Sequence, residues 1–480
     1  MDFSAGGLCK TLLMFAVVFY FTFISLFTQY PKCPPSDFFS PFRQNLTISE
    51  SISTNKSDST PSSSSINSPT NLSHLVFGLV GSEKAWHYRK AYIQSWWRPN
   101  ITRGFLLLDR PPTRKLLPWS PMSPPYRISD DLTKFLNKTD VTPHRIVNGI
   151  WETYREDHEN MRWLVMGDDD SIFFLDNIID VLQKYDHTKY YYIGGHSEFV
   201  LSNYLFSFSQ GFGGAGFILS YPLAKALAED MENCLKRYSH LIAADQTTMS
   251  CIADFGLNLT PLDGIHQLDF RGDISGFLSS HPKFPLMSLH HFDMVAPIFP
   301  SMNRFQSTRH LMKAANADQS RMLQQTICYH RESNWSFSIA WGYSAHIYEN
   351  IIPRSVLQYP IETFKTWLKS PGPPHYMFNT RLPSRNPCEA PHIFFFENVQ
   401  QTAESNETVT SYRRARRRGL PPCFFSGGHS ADHISKITVV SPMAKRAQID
   451  RRSECCDVVR VDRNKAKVKF KECVTNEIIA

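Results

Sequence analysis

The sequence predicts an α/β fold in which a mostly parallel sheet carries helices on both faces. Two features predict it. Short apolar runs without strict alternation, such as Leu75–Val80 and Arg162–Met166, suit strands buried on both sides. Between such runs lie segments with helical spacing, so that strand and helix alternate along the chain. A composition of 42% hydrophobic and 20% charged residues is enough for a core, which excludes a wholly disordered chain.

The elements follow in order. Leu75–Val80 opens the ordered region as a strand, and a helix over Lys84–Trp97 stops before Pro99. Gly104–Leu108 is a second buried strand, closed by Asp109 and the Pro111–Pro112 break. Thr142 as N-cap and Pro143 in the first turn start a helix whose Val147, Ile150, Trp151 and Tyr154 recur at helical spacing. The strand ending at Met166 runs into Gly167-Asp168-Asp169-Asp170. Asp176 then caps a helix with Ile178, Val181, Leu182 and Tyr185 on one face, and Tyr190–Ile193 is again strand-like. Pro222 starts a further helix with Leu223, Ala226 and Leu227 on its core side.

The two ends are different. Residues 11–28 form an uncharged apolar stretch about as long as a bilayer-spanning helix, with no small-residue cleavage site after it. They are expected to be an uncleaved signal anchor behind a cytoplasmic tail of residues 1–10. Residues 29–73 are rich in Ser, Thr, Asn and Pro and read as a flexible stem. Sequons at Asn45, Asn55, Asn71, Asn100, Asn137, Asn258, Asn334 and Asn406 favour a body on the lumenal side of a secretory membrane. Nine of the ten cysteines lie beyond the anchor without a paired CxxC pattern, so disulfides are expected rather than zinc, and the odd number leaves one thiol over. The net charge of +7 is modest and gives no reason to expect a nucleic-acid partner. Much of it sits in Arg413, Arg414, Arg416, Arg417 and Arg418, which read as a solvated loop more readily than as a polyanion patch.

Chemistry points to the acidic triplet. Three adjacent carboxylates repel one another and need a cation or hydrogen-bond donors to stay ionised. A hard divalent ion with oxygen ligands supplies that charge, and its place after a buried strand is where ligands bind in open α/β sheets. Gly213, Gly214 and Gly216 permit close backbone approach to a ligand or, equally, a tight turn. Asp245 offers a carboxylate for general-base work or merely a helix cap.

Trp163-Leu164-Val165-Met166-Gly167-Asp168-Asp169-Asp170 resembles the metal-site motif of the Fringe-like β-1,3-glycosyltransferases, glycosyltransferase family 31, above all a large plant branch of it. Gly213-Gly214-Ala215-Gly216-Phe217 resembles that family's glycine-rich acceptor-side strand, and Ser288-Leu289-His290-His291-Phe292-Asp293 its C-terminal histidine segment. Trp341-Gly342-Tyr343, Arg385-Asn386-Pro387-Cys388 and Cys455-Cys456-Asp457 resemble later segments of the plant branch.

The resemblance implies a nucleotide-sugar transferase fold of the GT-A type over residues 74–303, with 304–480 as a C-terminal accessory extension. It implies an inverting, Mn²⁺-dependent transfer of a hexose, of β-1,3 type, from a UDP-sugar to a glycan or glycoprotein. Asp170 and His291 would be the metal ligands, with His290 the adjacent alternative. Asp168, Asp169, Arg89 and the three glycines would bind substrate, and Asp245 would be the base. With the anchor, it implies a single-pass type II protein of the Golgi membrane with a lumenal catalytic domain. One departure stands out: the family commonly has two adjacent acids where this chain reads Asp245-Gln246. That motivates an alternative, a weak or inactive glycan-binding or scaffolding protein on the same fold. A soluble nuclear protein built on the arginine run is disfavoured by the anchor.

Overall fold

Every residue of Leu75–Gly81 is buried, which is what an apolar run without alternation requires of a strand covered on both faces. The computed structural model describes residues 68–479 except 371, 403, 425–428 and 447–451. The expected tail, anchor and most of the stem lie outside the described residues. Among the described residues no helix is long and apolar enough to cross a membrane. The last residues of the expected stem pack on the body: Arg162 donates to the Ser68 carbonyl at 2.7 Å, and Asn71 caps a short 3₁₀ turn, Leu72–His74.

The first sheet has seven strands. They are β1 (Leu75–Gly81), β2 (Arg103–Leu108), β3 (Tyr126–Ile128), β4 (Trp163–Asp168), β6 (Tyr192–Gly194), β7 (Phe217–Ser220) and β8 (Thr260–Pro261), in the order β3-β2-β1-β4-β7-β6-β8. β3, β2, β1 and β4 are mutually parallel, while β7 runs antiparallel to both β4 and β6. Helices α1 (Glu83–Ile93), α2 (Thr142–Glu156), α3 (Leu175–Leu182), α4 (Tyr221–Arg237) and α5 (Ala244–Ala253) connect the strands. Alternation along β1 divides the core. Val76 and Val80 face a cluster with Val147, Ile150, Leu223 and Leu227 of α2 and α4, whereas Leu75, Phe77 and Leu79 face the opposite layer.

Two expected caps are absent. Thr142 is the first residue of α2 rather than its cap, although Pro143 does sit in the first turn. Asp176 lies inside the first turn of α3, after Phe174, and pairs with Arg98 at 3.0 Å, where a carboxylate still suits the helix N-terminus.

Small strand pairs carry the chain past the sheet. β5 (Ile172–Phe173) and β9 (Ile265–His266) flank β11 (Ser288–Leu289), and β10 (Phe270–Gly272) pairs with β15 (Phe364–Thr366). After α6 (Arg304–Ala317) comes an eight-stranded, mainly antiparallel sheet. It comprises β12 (Gln325–His330), β13 (Trp335–Ala340), β14 (Ser344–Tyr348), β16 (His392–Thr402), β17 (Glu407–Arg414), β18 (Lys436–Pro442), β19 (Cys455–Val461) and β20 (Lys465–Lys471). Its buried side chains, among them Trp335, Phe337, Tyr343, Phe394, Tyr412 and Val468, share one continuous cluster with Phe77, Phe173 and Phe270 of the first half.

Eight cysteines form disulfides, Cys234–Cys251, Cys328–Cys456, Cys388–Cys423 and Cys455–Cys473, as expected in place of zinc. Cys328–Cys456 joins β12 to β19, the two outermost strands of the second sheet. Cys9 and Cys33 lie outside the described residues. The arginine run is only partly a solvated loop. Arg414 is half-buried over the Phe394 ring, and the Arg418 guanidinium is buried against Glu349 at 2.8 Å.

Candidate active site

β4 ends at Asp168, so the triplet leaves the sheet at the carboxyl end of a central strand. The turn is tightly held. The Asp168 N–H donates to Ser171 Oγ at 2.8 Å, and that hydroxyl donates to the Gly214 carbonyl at 2.6 Å. Trp96 Nε1 donates to the Ser171 carbonyl at 2.8 Å. Alternating directions then separate the carboxylates. Asp169 turns toward β1 and accepts from Ser82 N at 3.3 Å, while Asp168 and Asp170 turn toward His290.

His290 Nε2 lies 3.3 Å from Asp170 Oδ1 and 3.7 Å from Asp168 Oδ2. One ligand atom from each of these three residues falls within 4.8 Å of the others, a spacing that a single metal ion could span. His291 is arranged differently. It has φ of 56°, its Nδ1 lies 3.1 Å from Asp269 Oδ1, and its ring stacks on Trp367 with centroids 4.4 Å apart. The histidine grouped with Asp168 and Asp170 is therefore the alternative of the pair, because the left-handed backbone at His291 turns successive side chains to different neighbours.

The site has the charge pattern of a cation centre. Asp170 is fully buried, and neither of its oxygens accepts a hydrogen bond from a described residue. Burial acts to raise its pKa, but His290, Arg89 and His291 outweigh that and hold it below the ordinary carboxylate range. Burial together with the neighbouring carboxylates pushes Asp168 well above that range and Asp169 to about 6. Burial, with His291 alongside, lowers the pKa of His290, toward the neutral form that ligates metal. The residues fit a divalent ion: oxygen and imidazole donors converge, Asp170 Oδ2 has no partner among the described residues, and burial with neighbouring carboxylates pushes Asp168 and Asp169 toward protonation.

Arg89 is not the exposed arginine of a bland helix surface. Its guanidinium reaches Asp169 at 2.8 Å, Asp170 at 3.2 Å and Asp293 at 2.6 Å, so it is engaged by three carboxylates. Asp293 is a partner that spacing alone could not identify.

The glycine segment closes the pocket floor. A Cβ on Gly214 would lie 2.0 Å from His290 Cε1, so only glycine lets this backbone approach the imidazole. Gly216 has φ of +91°, and its N–H bonds the Gly213 carbonyl at 2.9 Å, so a tight turn is present as well. Gly213 donates its N–H to Asp245 Oδ1 at 3.0 Å. Asp245 lies in the first turn of α5 and spends that oxygen on the glycine segment instead of capping its own helix. Burial raises its pKa to about 6. Gln246 beside it is half-buried.

Three other contributors have no local signal in the sequence. Asp269 accepts from Ser197 Oγ at 2.6 Å while facing His291. Arg271 lies over the Trp367 ring at 4.0 Å. Trp367 itself follows β15, well beyond residue 304, and reaches the site through the pairing of Phe270 with Thr366.

A protein-family model described as "Protein of unknown function, DUF604" matches residues 202–456. The match includes Gly213, Gly214, Gly216, Asp245, His290 and His291, and the acidic triplet precedes it. Among solved structures, a crystal structure of mouse xyloside xylosyltransferase 1 in its apo form is similar at 13% identity. The alignment covers 41% of this chain and 86% of that one, with a TM-score of 0.26, too loose a superposition to bear on function. No curated protein matches the chain.

Proposed function

The chain belongs to the family described as Protein of unknown function, DUF604, and within it we propose that this member is a metal-dependent glycosyltransferase. It moves a hexose from a UDP-sugar to a glycan or glycoprotein with inversion at the anomeric carbon. The observation that carries this reading is the convergence of Asp168, Asp170 and His290 at the end of β4, with the buried Asp170 Oδ2 making neither a hydrogen bond nor an ion pair with a described residue. Mn²⁺ is the cation proposed, since a mixed carboxylate and imidazole set suits it.

Asp168, Asp170 and His290 would hold the ion, which would supply positive charge to balance that developing on a leaving diphosphate. Arg89 keeps Asp169 and Asp170 ionised and in position between α1 and the triplet. Asp245 is the proposed base. A carboxylate with a pKa near 6 takes a proton from an acceptor hydroxyl more readily than an ordinary one. Its bond from Gly213 fixes the carboxylate toward the glycine segment, on the side proposed for the acceptor. Localisation in the Golgi membrane, type II, with β-1,3 linkage, belongs to the same proposal. It draws on the motif resemblance and on the apolar residues 11–28.

The full-length protein is expected to bind UDP in the presence of Mn²⁺, and Asp170→Ala is expected to abolish that binding. Calorimetric titration reads the difference, and unchanged binding in the variant would reject the metal assignment. The competing reading, a non-catalytic glycan binder, is favoured by Gln246 standing where a second acid is expected. A panel of UDP-sugars offered to the protein separates the two, because turnover of any donor excludes it.

A further inference from the structure

A cleft of about 950 Å³ is lined by Asp273, the residue that follows β10. Asp269 at one end of this segment faces His291, and Asp273 at its other end lines the cleft. Four residues of chain span at most roughly 13 Å, so the cleft begins within an oligosaccharide's length of Asp269, which faces His291. Its floor is apolar, with Ile298, Ile361 and Phe395, and its rim is cationic.

The cations divide by what they already hold. Arg418 is buried against Glu349, and Arg381 donates to the Tyr359 carbonyl while lying over the Tyr348 ring. Arg385, Arg416 and Arg417 are exposed and make no ion pair with a described residue. The two acids of the cleft are occupied. Asp273 accepts from Ser275 N at 2.8 Å, and Glu389 accepts from Ser384 Oγ at 2.8 Å. Arginines outnumber acids along the cleft, so its field favours an incoming anion, and guanidinium groups bind carboxylates in a two-pronged fashion.

We infer that this cleft binds the non-reacting part of an acidic acceptor glycan, one whose sugars carry carboxylates, through Arg385, Arg416 and Arg417. The inference rests on the transferase reading for the word acceptor, and the binding itself does not depend on transfer. An apolar floor fits the C–H faces of sugar rings, and a cationic rim at the end of β10 fits the charged units that follow the reacting one.

The test is equilibrium binding of a uronic-acid oligosaccharide to the full-length protein, with chelator present so that the metal site plays no part. Its methyl-esterified counterpart and a sulfated oligosaccharide of equal length serve as comparisons. The acidic glycan is expected to bind at least about tenfold more tightly than the neutral ester, and more tightly than the sulfated chain. Arg416→Gln with Arg417→Gln is expected to remove about tenfold or more of that affinity, with Mn²⁺–UDP binding and thermal unfolding unchanged. Equal binding of acidic and neutral chains, or equal binding by the variant, would overturn the site. Equal or tighter binding of the sulfated chain would overturn the carboxylate assignment. Loss of Mn²⁺–UDP binding in wild-type protein would sink the transferase reading instead, so the two failures are distinguishable.

Discussion

Gly214 and His290 show how closely residue identity is fitted at the candidate site. The missing Cβ is the space the imidazole occupies. Gly214→Ala is therefore expected to push the His290 ring away from Asp168 and Asp170 and to weaken Mn²⁺-dependent UDP binding by about tenfold or more. Calorimetry with a matched circular dichroism spectrum checks this, and retained affinity would separate His290 from the metal. Asp245 carries a different consequence. Its folded pKa of about 6 exceeds the ordinary 3.8, so its contribution to stability is present below about pH 4 and is lost as pH rises through 6. Asp245→Asn still accepts from Gly213 but has no charge to desolvate. It should lower turnover by at least about 100-fold, yet match or exceed the wild-type melting temperature at pH 7.5. That advantage should fade as pH falls toward 4. In wild type, turnover should decline as pH drops through about 6, because the base becomes protonated.

β10 and β15 set the second half of the site. Their antiparallel pairing, Phe270 with Thr366 to Gly272 with Phe364, brings Trp367 over His291 and under Arg271. Trp367 is half-buried, so removing it should cost little of the core. Trp367→Ala is expected to lower kcat/KM by a few-fold to about tenfold with little change in melting temperature, since its ring stacks on His291, which in turn lies against His290, without holding the fold. Steady-state kinetics and a thermal scan on one preparation decide it; a collapse of stability would make the tryptophan a core residue. Some elements carry their own signature. Lys465-Ala466-Lys467-Val468-Lys469-Phe470-Lys471 alternates strictly and forms β20 with Ala466, Val468 and Phe470 inward. The pairing of β10 with β15, nearly a hundred residues apart, has no such pattern to reveal it.

The whole molecule holds its two sheets around shared side chains. Leu311 and Met312 of α6, with Phe337, Tyr343 and Phe394 of the second sheet, belong to the same buried cluster as Phe77, Phe173 and Phe270. Residues 304–480 were expected as an accessory extension, and their apolar faces help to cover the first sheet's layer. A chain ending at residue 303 would expose that layer to water at roughly 25 cal/mol for each Å² of apolar surface. It is expected to lose cooperative unfolding altogether, as read by calorimetry and near-ultraviolet circular dichroism. The intact protein should unfold in one transition. Two well-separated transitions, or a folded truncated chain, would show that the halves are independent.

Local chemistry was enough to locate the buried strands, the long helices and the acidic triplet, because periodicity and composition are properties of neighbouring residues. Leu75–Val80, Gly104–Leu108 and the Pro143 and Pro222 helices lie where their patterns indicate. Caps were less legible: Thr142 and Asp176 are good capping residues, yet each lies inside its helix, Thr142 donating its N–H to Asp140 and Asp176 paired with Arg98. Only the tertiary structure decided which histidine lies against Asp170, that Arg89 is held by Asp293, and that Trp367 from the C-terminal half stacks on His291. Those relations depend on long-range strand pairing and on a left-handed turn at His291, and one-dimensional spacing has no term for either.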